Sequence, residues 1–260
     1  MGNAAGVRLS CERLDVHVAN RVLVEKLDAG FEPGSITAVL GRNGAGKTLT
    51  LHTLAGLRAP SSGTVRLGDR APSQWPRLAR ARVMGLLPQQ TEDAFPSTVI
   101  DAALVGRHPH IGFWSWESEA DRALARSALA AVELADFEQR DVITLSGGER
   151  RRVALAALLT QDPNVYLLDE PINHLDPHHQ VAILELLRAK AAEGRTIVMT
   201  IHDAALAARY ATHALLLFGD GTWLHGQASD VLAEGTMSRL YGLPVRELQW
   251  TGGRTFVMGG

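Results

Sequence analysis

Cysteine is nearly absent from this 260-residue chain: Cys11 stands alone, which excludes an intrachain disulfide and fits a reducing cytosol. Its expected role is that of a small buried hydrophobe. Long apolar runs are also missing. Runs such as Val153 to Leu159 fall far short of the roughly 20 residues that a spanning helix needs, so the chain is expected not to cross a bilayer by itself. Neither sign of charge dominates, with 26 Lys+Arg against 28 Asp+Glu and a formal net charge of −2. A protein that grips nucleic acid usually shows a clear basic surplus, so no nucleic-acid partner is expected. Met1 to Val7 has neither the basic stretch nor the apolar stretch of a secretory leader. Gly6 stands where a myristoylation motif wants Ser or Thr.

What is present is material for a core: 46% of the residues are hydrophobic and 21% charged, which excludes a disordered chain. Short apolar, β-branched runs recur at Val16 to Val18, Ile36 to Leu40, Val65 to Leu67, Val83 to Leu87, Val165 to Leu168, Thr196 to Ile201 and Ala214 to Phe218. Runs such as Ile36 to Leu40 have no polar alternation, which predicts strands buried on both faces, as in a parallel sheet. Glu119 to Val132 and Glu149 to Thr160 instead show Ala/Leu-rich helical spacing. The spacing therefore predicts an α/β core over 1–90 and 161–260 and a helical part over 91–160. Thr222 to His225 is expected to form a strand and Ser229 to Glu234 a short helix, while the tail from Gly242 has no clear pattern. No internal repeat or low-complexity tract is visible.

Two segments carry chemistry. Gly41-Arg42-Asn43-Gly44-Ala45-Gly46-Lys47-Thr48 matches the phosphate-loop pattern and lies between the run Ile36 to Leu40 and a helical run over Thr48 to Leu57. Glycines there let backbone N–H groups curl around phosphate oxygens, Lys47 reaches the β/γ-phosphates, and the Thr48 hydroxyl is suited to Mg²⁺. A Gly-rich turn that only caps a helix is the bland alternative, and the strand-loop-helix setting argues against it. A dinucleotide loop is disfavoured, since no G-x-G-x-x-G pattern follows this strand. The second segment, Val165 to Glu170, is an apolar strand ending in two acids, with Asp169 placed to hold Mg²⁺ and Glu170 to polarise a water. Leu145-Ser146-Gly147-Gly148-Glu149 opens a further helix, where Ser146 and Glu149 have capping-box spacing and the glycines suit a second anion site.

Taken in order, these motifs resemble the ATPase subunit of an ATP-binding cassette (ABC) transporter. The resemblance covers almost the whole chain: the phosphate loop at 41–48, a Q-loop glutamine at Gln89 beside Gln90, the signature at 145–149, the acidic strand at 165–170, a D-loop at Asn173-His-Leu-Asp176, and a switch histidine at His202. It implies a P-loop NTPase (RecA-like) α/β core with an N-terminal antiparallel β part and an inserted α-helical subdomain. It also implies ATP and Mg²⁺, and a head-to-tail homodimer with each nucleotide between one subunit's phosphate loop and the other's signature. By the resemblance, Gly41 to Thr48 and Thr50 bind nucleotide, Thr48, Gln89 and Asp169 serve the metal, and Gln89 also contacts the attacking water as part of the catalytic set. Glu170 is the general base, His202 contacts the γ-phosphate, and Asp176 couples the two sites. Ser146, Gly147, Gly148 and Glu149 complete the partner's site. His108, His110, His178 and His179 lack zinc-ligand spacing and are expected at the surface.

The pattern departs from the family in two places. The signature ends in Glu149 where many members have Gln, and the adenine-stacking aromatic falls near Val18, beside His17. Gly106-Arg-His-Pro-His110, Leu145 to Arg152 and His202 to Tyr210 are similar to the importer group for ferric siderophores, haem or cobalamin. That resemblance implies permease subunits in the membrane, an indirectly coupled substrate-binding protein, and a peripheral position on the cytoplasmic face of the inner membrane. Phe95, Phe113, Trp114 and Trp116 are then interface anchors or helical-core residues. The competing class is a soluble ABC ATPase of translation or DNA repair. Two cassettes in one chain or long coiled-coil insertions would mark that class, and neither occurs here. A small P-loop kinase leaves the signature unexplained.

Overall fold

The computed structural model describes residues 6–89, 97–112, 115–251 and 253–259. Strands β1 (Leu9–Val18), β2 (Arg21–Phe31) and β4 (Ser62–Leu67) form an antiparallel sheet in the order β2-β1-β4. Only Val16 to Val18 of the first hairpin is readable as strand in the sequence. The reason is physical: register shifts between Cys11 and Leu14 break the two-residue alternation of β1. On β2, Glu25, Lys26 and Asp28 occupy the solvated face, which dilutes its apolar signal.

The main sheet has six strands in the order β5-β6-β7-β3-β8-β9: β3 (Ile36–Gly41), β5 (Met84–Leu87), β6 (Val165–Leu168), β7 (Thr196–Thr200), β8 (His213–Leu217) and β9 (Trp223–Gln227). All neighbours are parallel except the β8–β9 pair. Every residue of β3, β6 and β7 is buried, because successive side chains enter different cores. Val39, Val165, Leu167, Val198 and Leu215 meet the antiparallel sheet and α1 (Lys47–Leu54). Ala38, Leu40, Tyr166, Leu168 and Met199 meet the remaining helices.

Between β5 and β6 the described regular structure is helical, with α3 (Val99–Leu104), α4 (Glu119–Ala131) and α5 (Gly147–Gln161) packed together. Helix α2 (Arg77–Val83) precedes β5, so Val83 belongs to a helix and not to the expected strand. Helix α6 (Pro177–Ala192), which sequence patterning missed, leads to β7. The expected helix over Thr48 to Leu57 stops at Leu54, where Gly56 turns the chain at φ +69°. The expected strands ending at Ile201 and Phe218 each stop one residue earlier. Helix α7 (Ala204–Tyr210) follows β7. The single short helix expected over Ser229 to Glu234 is two, α8 (Ala228–Val231) and α9 (Glu234–Tyr241), and the unassigned tail is an antiparallel hairpin of β10 (Val245–Trp250) and β11 (Gly253–Met258). Gly41 ends β3, and Gln89, Asp169 and His202 follow the C-terminal ends of β5, β6 and β7, where open α/β sheets place their ligand crevice.

Candidate functional site

The loop from Gly41 to Gly46 leaves a fully buried strand and feeds the N-terminus of α1 directly. Gly44 and Gly46 sit at φ +78° and +100°, which a side chain would strain. At Gly41 a Cβ would come within 2.7 Å of the Leu217 carbonyl oxygen, so the strand-to-loop junction admits only glycine. Lys47 is buried and donates from Nζ to the carbonyl of Gly41 at 2.8 Å and of Arg42 at 3.4 Å. Burial lowers its pKa, opposed by the nearby Glu170 and Asp169.

Asn43, Gly44, Gly46, Lys47 and Thr48 line an open cavity of about 690 Å³ together with Leu23, Gln89, Glu170, Asn173, His174 and His202. Thr50 does not reach it. That side chain is fully buried and its hydroxyl donates to the Gly46 carbonyl at 2.9 Å, so it braces the loop from beneath. Ala45 is likewise buried, its methyl packed in the core beneath the antiparallel sheet.

The opposite wall is built on Glu170, which is 8% exposed and has a left-handed φ of +53°. Its Oε1 accepts from His202 Nε2 at 2.6 Å, and its Oε2 accepts from Gln89 Nε2 at 3.1 Å and from Asn173 Nδ2. Three side chains from three different loops thus converge on one carboxylate. Beside it, Asp169 is fully buried. Its Oδ1 accepts from the Thr200 hydroxyl at 2.7 Å, while Oδ2 has no hydrogen-bond partner among the described residues. A buried anionic oxygen left unpaired is costly, and a divalent cation is the partner that suits it. Asp169 itself lies behind the cavity lining, next to Glu170, while Thr48 and Gln89 line the cavity; oxygen donors of this kind suit Mg²⁺.

Sequence reasoning overlooked Thr200. Its hydroxyl accepts from the Glu170 amide at 2.7 Å and donates to Asp169, so it orients both acids. The available signal was a polar residue at the end of a buried strand, two positions before His202. Leu23 was overlooked too: it lines the cavity, whereas Val18 is exposed on the β1–β2 hairpin.

A second cavity, of about 470 Å³, is lined by Ser146, Gly147, Gly148, Glu149, Arg152, His174, Leu175, Asp176 and His179. The capping box is formed: Glu149 Oε2 accepts from the Ser146 amide at 2.7 Å, and Ser146 Oγ accepts from the Glu149 amide at 3.3 Å. The Ser146 bonds hold the Glu149 carboxyl below its usual pKa. Asp176 caps α6; the His179 amide at 3.1 Å and then His179 Nδ1 at 2.6 Å donate to its carboxylate and lower its pKa. His174 borders both cavities. The nucleotide-loop residues and the signature residues of one chain therefore belong to separate cavities.

Three of the four histidines expected at the surface have defined partners: His110 on the Gln161 carbonyl at 2.9 Å, His179 on Asp176 at 2.6 Å and His178 beside the Glu133 carboxylate at 3.4 Å. No group of three metal-binding His, Cys, Asp or Glu side chains occurs among the described residues. Trp116 is 89% exposed, which excludes a core role. Phe95, Phe113, Trp114 and Gln90 lie outside the described residues.

The family model for ABC transporters matches residues 24–173. The chain is 39% identical over 234 residues to the hemin import ATP-binding protein HmuV of Streptomyces coelicolor, covering 89% of this chain and 82% of that protein. It is 35% identical over 227 residues to the petrobactin import ATP-binding protein FpuD of Bacillus anthracis, covering 87% and 83%. Among solved structures it is similar to a metal-chelate type ABC transporter in an inward-facing conformation, with a TM-score of 0.85, 28% identity and 98% of both chains covered.

Proposed function

The chain belongs to the ABC transporter family, and from that premise we propose that it is the ATP-hydrolysing subunit of a binding-protein-dependent importer. It powers uptake of an iron chelate, haem or cobalamin through a separate membrane permease. The observation that carries the catalytic part is the Glu170 carboxylate, held between Gln89, Asn173 and His202 across the cavity from Lys47.

Lys47 and the amides of the phosphate loop hold the phosphates, and Glu170 takes the proton of the attacking water. Gln89 and His202, whose side chains here rest on Glu170, turn to the bound nucleotide and leave the carboxylate free to act. Thr48, Asp169 and Gln89 hold Mg²⁺, which when bound offsets the charge that spreads over the transferred phosphoryl group. The separation of the two cavities supports a head-to-tail homodimer, in which Ser146 to Glu149 of one subunit close over the nucleotide of the other and Asp176 lies between the sites.

The permease is expected at the groove of about 740 Å³ between α3 and α5, whose apolar lining includes Leu86, Pro88, Val105, Val153 and Ala157. Such a subunit sits peripherally on the cytoplasmic face of the membrane, and no described helix is long and apolar enough to cross it. Relatives named for hemin and for petrobactin are similarly close, so uptake assays with haem, cobalamin and ferric siderophores in a deletion strain decide the cargo.

The direct test of the mechanism is Glu170→Gln. This variant should bind Mg-ATP with wild-type affinity, accumulate a dimer visible by size exclusion, and hydrolyse about 100-fold or more slowly. Wild-type turnover would remove Glu170 from the role of base.

A further inference from the structure

Arg151 lies on α5, two residues beyond Glu149, and is only 7% exposed although it carries a charge. Its guanidinium spans two strand ends. From Nη1 it donates to the carbonyl oxygens of Pro88 at 2.5 Å and Gln89 at 3.4 Å; from Nη2 it donates to those of Glu170 at 3.0 Å and of Asp169. Burial lowers its pKa to about 10, opposed by Asp169 and Glu170, so it remains charged at neutral pH. The next residue, Arg152, donates instead to the carbonyls of Val132 at 2.9 Å and Glu133 at 3.0 Å, at the C-terminal end of α4. Adjacent guanidiniums thus fasten α5 in two directions, Arg152 to the neighbouring helix and Arg151 to the catalytic strands.

Two of the four residues whose carbonyls Arg151 holds have side chains that meet, Gln89 Nε2 on Glu170 Oε2 at 3.1 Å. Glu170 also adopts a backbone conformation uncommon for a residue with a Cβ, at φ +53°, which persists where surrounding bonds hold it: its carbonyl accepts from the Asn173 amide at 3.2 Å as well as from Arg151. Only a planar fork with donors on separate nitrogens reaches both pairs of carbonyls at once; an ammonium is a single point.

We propose that Arg151 is a positioning residue for ATP hydrolysis: through four backbone carbonyls it sets Gln89 and Glu170 relative to each other and to the signature helix α5. Any rotation of α5 is thereby delivered to the base carboxylate. The inference rests on the ATPase reading above and adds a residue to it.

The test uses the full chain with Arg151→Lys, which keeps the charge and loses the fork, and Arg151→Gln, which keeps a planar donor and loses the charge. Misplacement of a reacting group by about 1 Å costs on the order of 100-fold in rate. The expected result for Arg151→Lys is therefore a fall in kcat of about tenfold or more, with the KM for ATP and the affinity for a non-hydrolysable ATP analogue within about twofold of wild type. Combined with Gln89→Ala, it should lose less than the product of the two single effects, since both act on one pair of residues. A wild-type kcat in Arg151→Lys overturns the proposal. So does a loss of kcat that only tracks the folded fraction or the loss of nucleotide binding, or a failure of both variants to fold, each of which makes the role one of stability alone. Failure of the ATPase reading would look different, because the wild-type chain itself would then not hydrolyse ATP.

Discussion

The Thr200 hydroxyl joins the two acids at the end of β6, accepting from the Glu170 amide and donating to Asp169 Oδ1. Replacing it by valine keeps the shape and strands a buried N–H together with a carboxylate oxygen. Leaving such groups unpaired costs about 1–3 kcal/mol, so Thr200→Val should lose about that much stability in urea unfolding and also lower kcat, while nucleotide affinity stays close to wild type. Glu149 is a milder departure. Its carboxylate closes the capping box onto the Ser146 amide, and a Gln carbonyl would accept the same bond, so the geometry of the signature is kept. Cys11 is buried with its thiol pKa pushed up to about 12, chiefly by burial, which makes it unreactive, in agreement with its expected role. Arg151 and Thr200 escaped sequence reasoning for one reason: both act on residues distant in the chain, Arg151 through backbone carbonyls and Thr200 through the Glu170 amide and the Asp169 carboxylate.

At the scale of elements, α4 is fastened at its start. Ser118 and Asp121 form a capping box, and Arg107 donates from Nε to Asp121 Oδ1 at 2.7 Å and from Nη1 to the Thr160 carbonyl at 3.2 Å, tying α4 to α5. The Ser118 bonds, with Arg107 behind them, hold the Asp121 pKa at about 2. A carboxylate depressed on folding stabilises the protein above its unfolded pKa, near 3.8 here, and that contribution is lost as pH falls through the folded value of about 2. Asp121→Asn should therefore lower the melting temperature by a few degrees at pH 7, with the difference from wild type shrinking between pH 4 and pH 2. A gap that stays constant over that range would show that the charge of Asp121 is not its cause. Elements with one plain periodicity were legible, among them β3, β6, α4 and α5. Others were not: β2 carries adjacent charges on its solvated part, α6 opens with Pro-His-His and buries only Ile183, Leu184, Leu187 and Ala191 further along, and β1 has its alternation broken by bulges.

For the whole molecule, Trp116 stands 89% exposed within the segment expected to meet the permease. Trp116→Ala should leave the ATPase rate of the isolated subunit unchanged and reduce its co-purification with the permease about tenfold or more, as loss of an aromatic anchor does. Undiminished co-purification would place the contact elsewhere, along the apolar groove between α3 and α5. The antiparallel sheet covers one face of the main sheet and the helices cover the other, so the strand ends that carry Gln89, Gly41, Asp169 and His202 are left free to meet at one crevice.

The family and the order of its motifs were fixed by sequence alone, because phosphate chemistry demands particular residues at short spacings: glycines, Lys47 and Thr48 within one loop, and two acids at the end of an apolar run. What the tertiary structure decided is which partners each of those residues has. It carried Gln89, Asn173 and His202, from three separate loops, onto one carboxylate. It left Asp169 Oδ2 unpaired in a buried place suited to a cation, moved Thr50 out of the cavity, and set Arg151 against the ends of β5 and β6. Such pairings depend on long-range packing of parallel strands, and no local spacing encodes the distance between residues 81 positions apart such as Gln89 and Glu170.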